Sequence, residues 1–323
     1  MNSGGDGQGP RRSVDLTVNV YAGDSPFFEA TYRHLVEELS YPFRTRRVVV
    51  DRGTARGRFA SAAARGGDLD SQLRRLQDAQ LIDIVEDVDW SPRAIERVMA
   101  RYYGNPTAPT HDTNGAAPVY QYLWAIDQCT ADFVLHFDSD LLVYFQGGGA
   151  WIDESIELMK EHGKILTTTP GAGPPRAVRA QDWLLGHRAT HSGSRWQRGE
   201  QFSTRYFLLD RQRFIDEVCP LVPGRDGEPL EQAITATLAA RGFELWVLDD
   251  DHNWAIHPTS HNKNHVRYLD DLIRLIDAGR YPYRRTGYRW DLCTQSRHLR
   301  FTPWRIAVIR DRLGRRCRRL LHR

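Results

Sequence analysis

The chain has 323 residues and carries 44 Lys and Arg against 41 Asp and Glu, a formal net charge of +3. That near balance, with no basic stripe interleaved with aromatics in the body, argues against general nucleic-acid binding. The length permits one large domain or two small ones, and no apolar run approaches what a membrane span needs.

Residues 1–12 are polar and Gly-rich, end in Pro10-Arg11-Arg12, and lack the apolar run of a signal peptide. They predict a disordered leader on a cytoplasmic protein. Cys129, Cys219, Cys293 and Cys317 contain no Cys-x-x-Cys pair, so neither a zinc ribbon nor a disulfide framework is expected. Residues 14–21 (VDLTVNVY) predict a strand, followed by a turn at 22–26 and a helix over 27–39. A second strand is expected at 46–51, ending in Asp51, then a patternless Ala/Arg/Gly loop at 55–67. A helix at 69–80, a strand at 81–85, a helix opened by Ser91-Pro92, a loop at 104–118 and a helix at 119–129 continue the alternation.

Residues 133–137 (FVLHF) predict a buried strand that delivers Asp138-Ser139-Asp140 at its C-terminal end, the end where open α/β sheets bind ligands. Beyond it the pattern predicts a helix at 152–161, a strand at 165–169, a Pro/Gly loop at 170–175 and a polar stretch to 201. A strand at 206–209, a helix at 229–241, a strand at 243–248, a His-rich loop and a helix at 266–278 complete it. The alternation implies an α/β fold with a nucleotide-binding first half.

Two carboxylates one residue apart offer hard oxygen ligands that suit Mg²⁺ or Mn²⁺. Taken alone, Asp-Ser-Asp also fits a turn cap, but the buried-type strand ahead of it favours the metal reading. The segment from Thr130 to Asp140 resembles the DxD segment of family 2 and related GT-A glycosyltransferases. That resemblance implies a Rossmann-like mixed sheet flanked by helices and transfer of a sugar from a nucleotide-diphospho-sugar to an acceptor hydroxyl, with inversion. By the same resemblance Val20, Tyr21, Ala22, Asp51, Asn114, Asp138 and Ser139 contact the donor, Asp51 against the base. Asp51-Arg52-Gly53 replaces the usual Asp-Gly-Ser, which leaves the base open. Asp138 and Asp140 hold the cation, with His257 or His261 as the completing ligand. Glu231, eleven residues before Gly242, matches the family's general base. A carboxylate opening a helix also suits the helix dipole, and Asp226 and Glu228 are rivals.

The implied halves are a nucleotide-sugar-binding segment, 13–145, and an acceptor-binding segment, 146–265, of one GT-A domain, followed by a helical extension at 266–323. Trp183 and Trp196 offer faces on which a sugar could stack, with core packing as the alternative. Residues 305–323 carry eight Arg against Asp311 alone and mix them with apolar residues. Such a tail suits peripheral contact with an anionic inner membrane face near a lipid-linked acceptor, or a terminal helix packed on the body. The acceptor class, whether glycan, lipid-linked or small molecule, stays open. Two rivals share the pattern. One is a phosphohydrolase of the haloacid dehalogenase type, with Asp138 as nucleophile and Asp249 to Asp251 as its acidic cluster; the other is a non-catalytic nucleotide-sugar-binding protein.

Overall fold

The computed structural model describes residues 12–53, 59–60, 67–113, 117–173, 195–225, 227–258, 263–279 and 291–292. Residues 1–11 of the expected disordered leader, Asn114, Trp183, Asp226, His261 and the Arg-rich tail lie outside the described residues. Among the described residues no helix is long and apolar enough to cross a membrane.

The chain forms a mixed α/β structure around one mostly parallel sheet. Strand β1 (Val14–Tyr21) pairs in parallel with β2 (Thr45–Asp51) on one side and with β4 (Phe133–Asp138) on the other. β3 (Ile84–Asp87) adds in parallel outside β2. Beyond β4 come β8 (Tyr206–Asp210), antiparallel, then β6 (Ile165–Ala172) and β10 (Asn253–Pro258). β5 (Leu142–Phe145) pairs antiparallel with β10. β9 (Glu244–Leu248) lies parallel to β6 and carries β7 (Trp196–Arg198). β11 (Asp291–Leu292) pairs in parallel with β10.

The period of two along β1 sets both faces of the sheet. Val14, Leu16, Val18 and Val20 enter a core built with α1 (Phe28–Leu39), α2 (Leu69–Asp78) and α5 (Ala150–Glu161). The opposite face packs on α3 (Pro92–Tyr103), α4 (Val119–Gln128) and α6 (Leu230–Ala240). There β1 presents Asp15, Thr17 and Asn19, all buried, so a polar row runs through an otherwise apolar layer. A third cluster joins β5 and β10 to α7 (Lys263–Asp277). Local signals set the helix ends: Ser91 Oγ accepts from Ala94 N at 3.3 Å ahead of Pro92, and Asp68 Oδ1 accepts from Ser71 N at 3.0 Å.

Three expectations require correction. The strand expected at 81–85 begins at Ile84, because Leu81 and Ile82 pack inward while Asp83 caps Arg46 through its backbone N–H and guanidinium. The loop expected at 170–175 begins as strand, since β6 runs through Pro170 and Gly171 to reach both β9 and β10. The His-rich loop is partly β10, and β5 and β7 were not anticipated.

Candidate active site

β1, β2 and β4 end side by side, and their register places Tyr21 opposite Asp51 and Asn19 opposite Asp138. After Tyr21 a short 3₁₀ turn, Ala22–Asp24, brings a buried carboxylate back under the strand. Asp24 Oδ2 accepts from Tyr21 N at 3.1 Å and from Ser139 Oγ at 2.8 Å. Thr31 of α1 donates its hydroxyl to Ser139 O at 2.6 Å. Ser139 is therefore held on both sides as the chain breaks from β4, and Asp138 and Asp140 flank it. Val20 is buried in the core, with its carbonyl 3.5 Å from Gln121 Nε2, while Ala22 is exposed.

Asp138 is fixed from the α4 side. Tyr122 Oη donates to Asp138 Oδ1 at 2.9 Å, and His136 Nε2 lies 3.3 Å from the same oxygen. A carboxylate only accepts, so Nε2 carries a proton, and Thr17 Oγ1 lies 3.0 Å from Nδ1. Phe207 stacks on His136 with centroids 5.1 Å apart. Burial, with the negative charges of Asp138 and Glu231, pushes the Tyr122 hydroxyl well above the usual tyrosine range, so it stays a donor. Asn19 is buried beside Asp138, and both atoms of its carboxamide lack a hydrogen-bond partner among the described residues.

Glu231 sits in the first turn of α6 and accepts from Thr204 Oγ1 at 2.5 Å through Oε1. The Thr204 and Tyr122 hydroxyls are neighbours, so Glu231 and Asp138, 93 positions apart in the chain, approach one pair of hydroxyls. Gly242 ends this segment at φ +76°, a left-handed conformation that suits glycine. Of the rivals for the base, Glu228 accepts from Gly224 N at 2.7 Å through Oε2.

At the end of β2, Asp51 Oδ1 accepts from Gly53 N at 2.7 Å and from Trp90 Nε1 at 2.9 Å. A Cβ on Gly53 would stand 2.8 Å from Trp90 Nε1, so this close approach requires glycine. Trp90 stacks on His111 with centroids 5.6 Å apart.

His257 of β10 is half-buried, and Arg205 Nη1 lies 3.5 Å from its Nδ1. The Arg205 carbonyl accepts from Asp138 N at 2.7 Å, which places this residue next to the motif. Asp138, Asp140 and His257 do not form a compact three-ligand cluster. The donor set fits an oxygen-preferring divalent cation shared with the phosphate oxygens of a ligand better than a closed protein cage. Among the described residues, His34, Glu38 and Asp277 do bring potential ligand atoms within 4.8 Å of one another. His34 Nε2 accepts from Val143 N at 3.1 Å, so its Nδ1 holds the proton toward Asp277 at 3.1 Å. Glu38 accepts from Phe145 N at 2.8 Å. This cluster caps the open edge of β5.

Asp250 is spent on its own turn: Oδ1 accepts from His252 N and Asn253 N, and Oδ2 from Arg195. Trp196 lines a cavity of about 610 Å³ with Asp153, Glu154, Glu157 and Glu161 of α5, which shares no residue with the carboxylate site. Sequence reasoning missed Asn19, Asp24, Trp90, Tyr122 and His136 as site residues; the polar side chains within the β1 and β4 strand pattern were the available signal for Asn19 and His136.

No family model matches the chain, and no curated protein does. Among solved structures, S. aureus TarS is similar over 84% of this chain and 42% of that one, with 11% identity and a TM-score of 0.44. This chain thus spans less than half the length of that protein. A structure of TarS residues 1–349 in complex with UDP shares 9% identity over 82% of this chain and 65% of that one, with a TM-score of 0.41. A structure of GalNAc-T7 with UDP, GalNAc and Mn²⁺ shares 12% identity over 76% of this chain and 44% of that one, with a TM-score of 0.42. Likeness at this level does not bear on what the chain does.

Proposed function

We propose that the protein is a GT-A-type glycosyltransferase that moves a sugar from a nucleotide-diphospho-sugar to an acceptor hydroxyl with inversion. The observation that carries this is the convergence of Glu231 and Asp138 on the Tyr122 and Thr204 hydroxyls at the C-terminal ends of parallel strands. Asp138 and Asp140 would hold Mg²⁺ or Mn²⁺ on the donor diphosphate, where such a cation neutralises charge on the leaving group. The chain's own residues do the rest. Tyr21 and Asp51, at the ends of β1 and β2, flank the nucleotide, and the Arg205 guanidinium adds positive charge beside His257. Thr204 occupies Glu231 Oε1 and leaves Oε2 to take the acceptor proton. The acceptor oxygen then bonds the anomeric carbon as its bond to the diphosphate breaks.

The phosphohydrolase reading is less supported, because Asp250, the centre of its proposed acidic cluster, is saturated by its own turn and Arg195. Thermal shift of the whole chain with UDP, GDP and other nucleoside diphosphates, with and without Mn²⁺, tests the site. A metal-dependent rise that Asp140→Asn removes supports it. Glu231→Gln is expected to keep that rise and to lower turnover of a responsive nucleotide-sugar by about 10²–10⁴-fold. A phospho-enzyme trapped at Asp138, or full turnover by Glu231→Gln, would overturn the assignment.

A further inference from the structure

Asp138 is not free to choose its orientation. Its backbone N–H is bound to Arg205 O at 2.7 Å, and its Oδ1 faces Tyr122 and His136. His136 is itself locked between Thr17 and the Phe207 ring. Tyr122 is held by α4, and its ring meets His136 edge-on with centroids 5.4 Å apart. The hydroxyl next to it, Thr204, donates to Glu231. With both carboxylates ionised, the Tyr122 proton points to Asp138 and the Thr204 proton to Glu231. No proton is then left between the two hydroxyl oxygens, so a proton that Thr204 turned toward Tyr122 would be lost to Glu231, which couples the two sides of the site. Groups that orient a metal-binding carboxylate in this way affect metal affinity although they do not touch the metal.

We propose that Tyr122 is a positioning residue that aims Asp138 Oδ2 at the donor and, through Thr204, ties that aim to Glu231. The proposal rests on the glycosyltransferase reading for what Asp138 binds. It goes beyond that reading in assigning the orientation to one phenol hydroxyl on α4 and in joining the donor and acceptor sides of the site. His136 supports the same oxygen, but at 3.3 Å it is the longer contact.

The test uses the full chain and titrates UDP with MnCl₂ by calorimetry into the parent, Asp140→Asn, Asp138→Asn, Tyr122→Phe, the Tyr122→Phe/Asp138→Asn double variant, Thr204→Val and Thr204→Ser. Tyr122→Phe is expected to weaken Mn²⁺-dependent binding by about 10-fold to 100-fold. The double variant should bind no worse than Asp138→Asn alone, because both changes remove one arrangement. Thr204→Val should give a smaller loss that Thr204→Ser restores, which a packing defect would not. Parent-like affinity in Tyr122→Phe, or additive losses in the double variant, would overturn the proposal. If the parent itself shows no Mn²⁺-dependent binding, the functional reading fails. A double-mutant cycle of Tyr122→Phe and Asp138→Asn on denaturant stability then decides the orientation claim, and zero coupling refutes it. If Tyr122→Phe does not fold, the Thr204 pair carries the test, and unchanged binding in Thr204→Val overturns the link.

Discussion

Ser139, the middle residue of the acidic motif, donates its hydroxyl to the buried carboxylate of Asp24 at 2.8 Å. The same carboxylate oxygen accepts the Tyr21 N–H at 3.1 Å, so Asp24 joins the end of β1 to the break after β4. Both partners are neutral donors to a charge, which makes each bond stronger than an ordinary one. Asp24→Ala should therefore cost about 1.5–3 kcal/mol of stability, read as a lower urea midpoint. It should also weaken Mn²⁺-dependent nucleotide binding, since the motif loses its anchor. Asp24→Asn should recover part of the stability. A midpoint unchanged by Asp24→Ala would show that the turn holds the motif without this carboxylate.

Asn19 should behave in the opposite sense. Its two buried carboxamide atoms lack partners among the described residues, and a buried group in that state is destabilising until a ligand or bound water satisfies it. Asn19→Leu keeps the shape and removes both polar atoms. We expect it to raise stability by about 1–3 kcal/mol and to lower affinity for UDP with Mn²⁺. Opposite signs in the two measurements mark a group kept for binding. A fall in stability would mean that the carboxamide is already satisfied in the free protein.

Much of this site was legible one strand at a time and little of it as an assembly. β1 and β4 announce themselves as apolar runs, and Asp138 follows from the second of them, because burial on both faces leaves a strong compositional trace. β5 left almost none: four residues begin two positions after the motif, with no turn residues to mark a new strand. β10 was hidden because Asn253, His257 and Pro258 read as loop residues, although its pairing with β5 buries Trp254 and Ile256. Glu231 was found from its place at the start of a helix, yet its contact with Thr204 depends on how α6 packs against the sheet. Tyr122 shows the limit most clearly. On a helix it is one more aromatic residue, and only the packing of α4 over β4 brings its hydroxyl to Asp138.

Burial of tyrosine hydroxyls gives the alkaline limb of stability a definite sign. Tyr32, Tyr102, Tyr103, Tyr120 and Tyr122 are all shifted upward, first by burial. The unfolded chain releases these protons near about pH 10 while the folded chain keeps them. The unfolded state then binds fewer protons, so stability is fully present below that pH and falls as pH rises through and beyond it. Urea midpoints measured from about pH 8 to about pH 11 should decline, with tyrosinate absorbance appearing only on unfolding for these residues. Tyr122→Phe should make the decline shallower. Free titration of every tyrosine in the folded protein near about pH 10 would contradict the burial argument.

Under the proposed function, Asp51 would bear on which nucleotide the site accepts. Oδ1 already takes two donors, Trp90 Nε1 and Gly53 N, and an oxygen of a carboxylate has about two acceptor positions. Oδ2 remains for a ligand. Uracil offers one N–H at N3 and is satisfied by one oxygen, whereas guanine offers neighbouring N–H groups that pair best with both oxygens of a carboxylate. A guanine bound here would leave a donor facing a filled Oδ1, a loss of about 1–3 kcal/mol, or about tenfold and more in affinity. UDP should therefore outbind GDP by at least about that factor in the presence of Mn²⁺. Trp90→Phe, which removes one donor from Oδ1, should narrow the gap chiefly by improving GDP. Equal affinities for UDP and GDP in the parent protein would place the base away from Asp51.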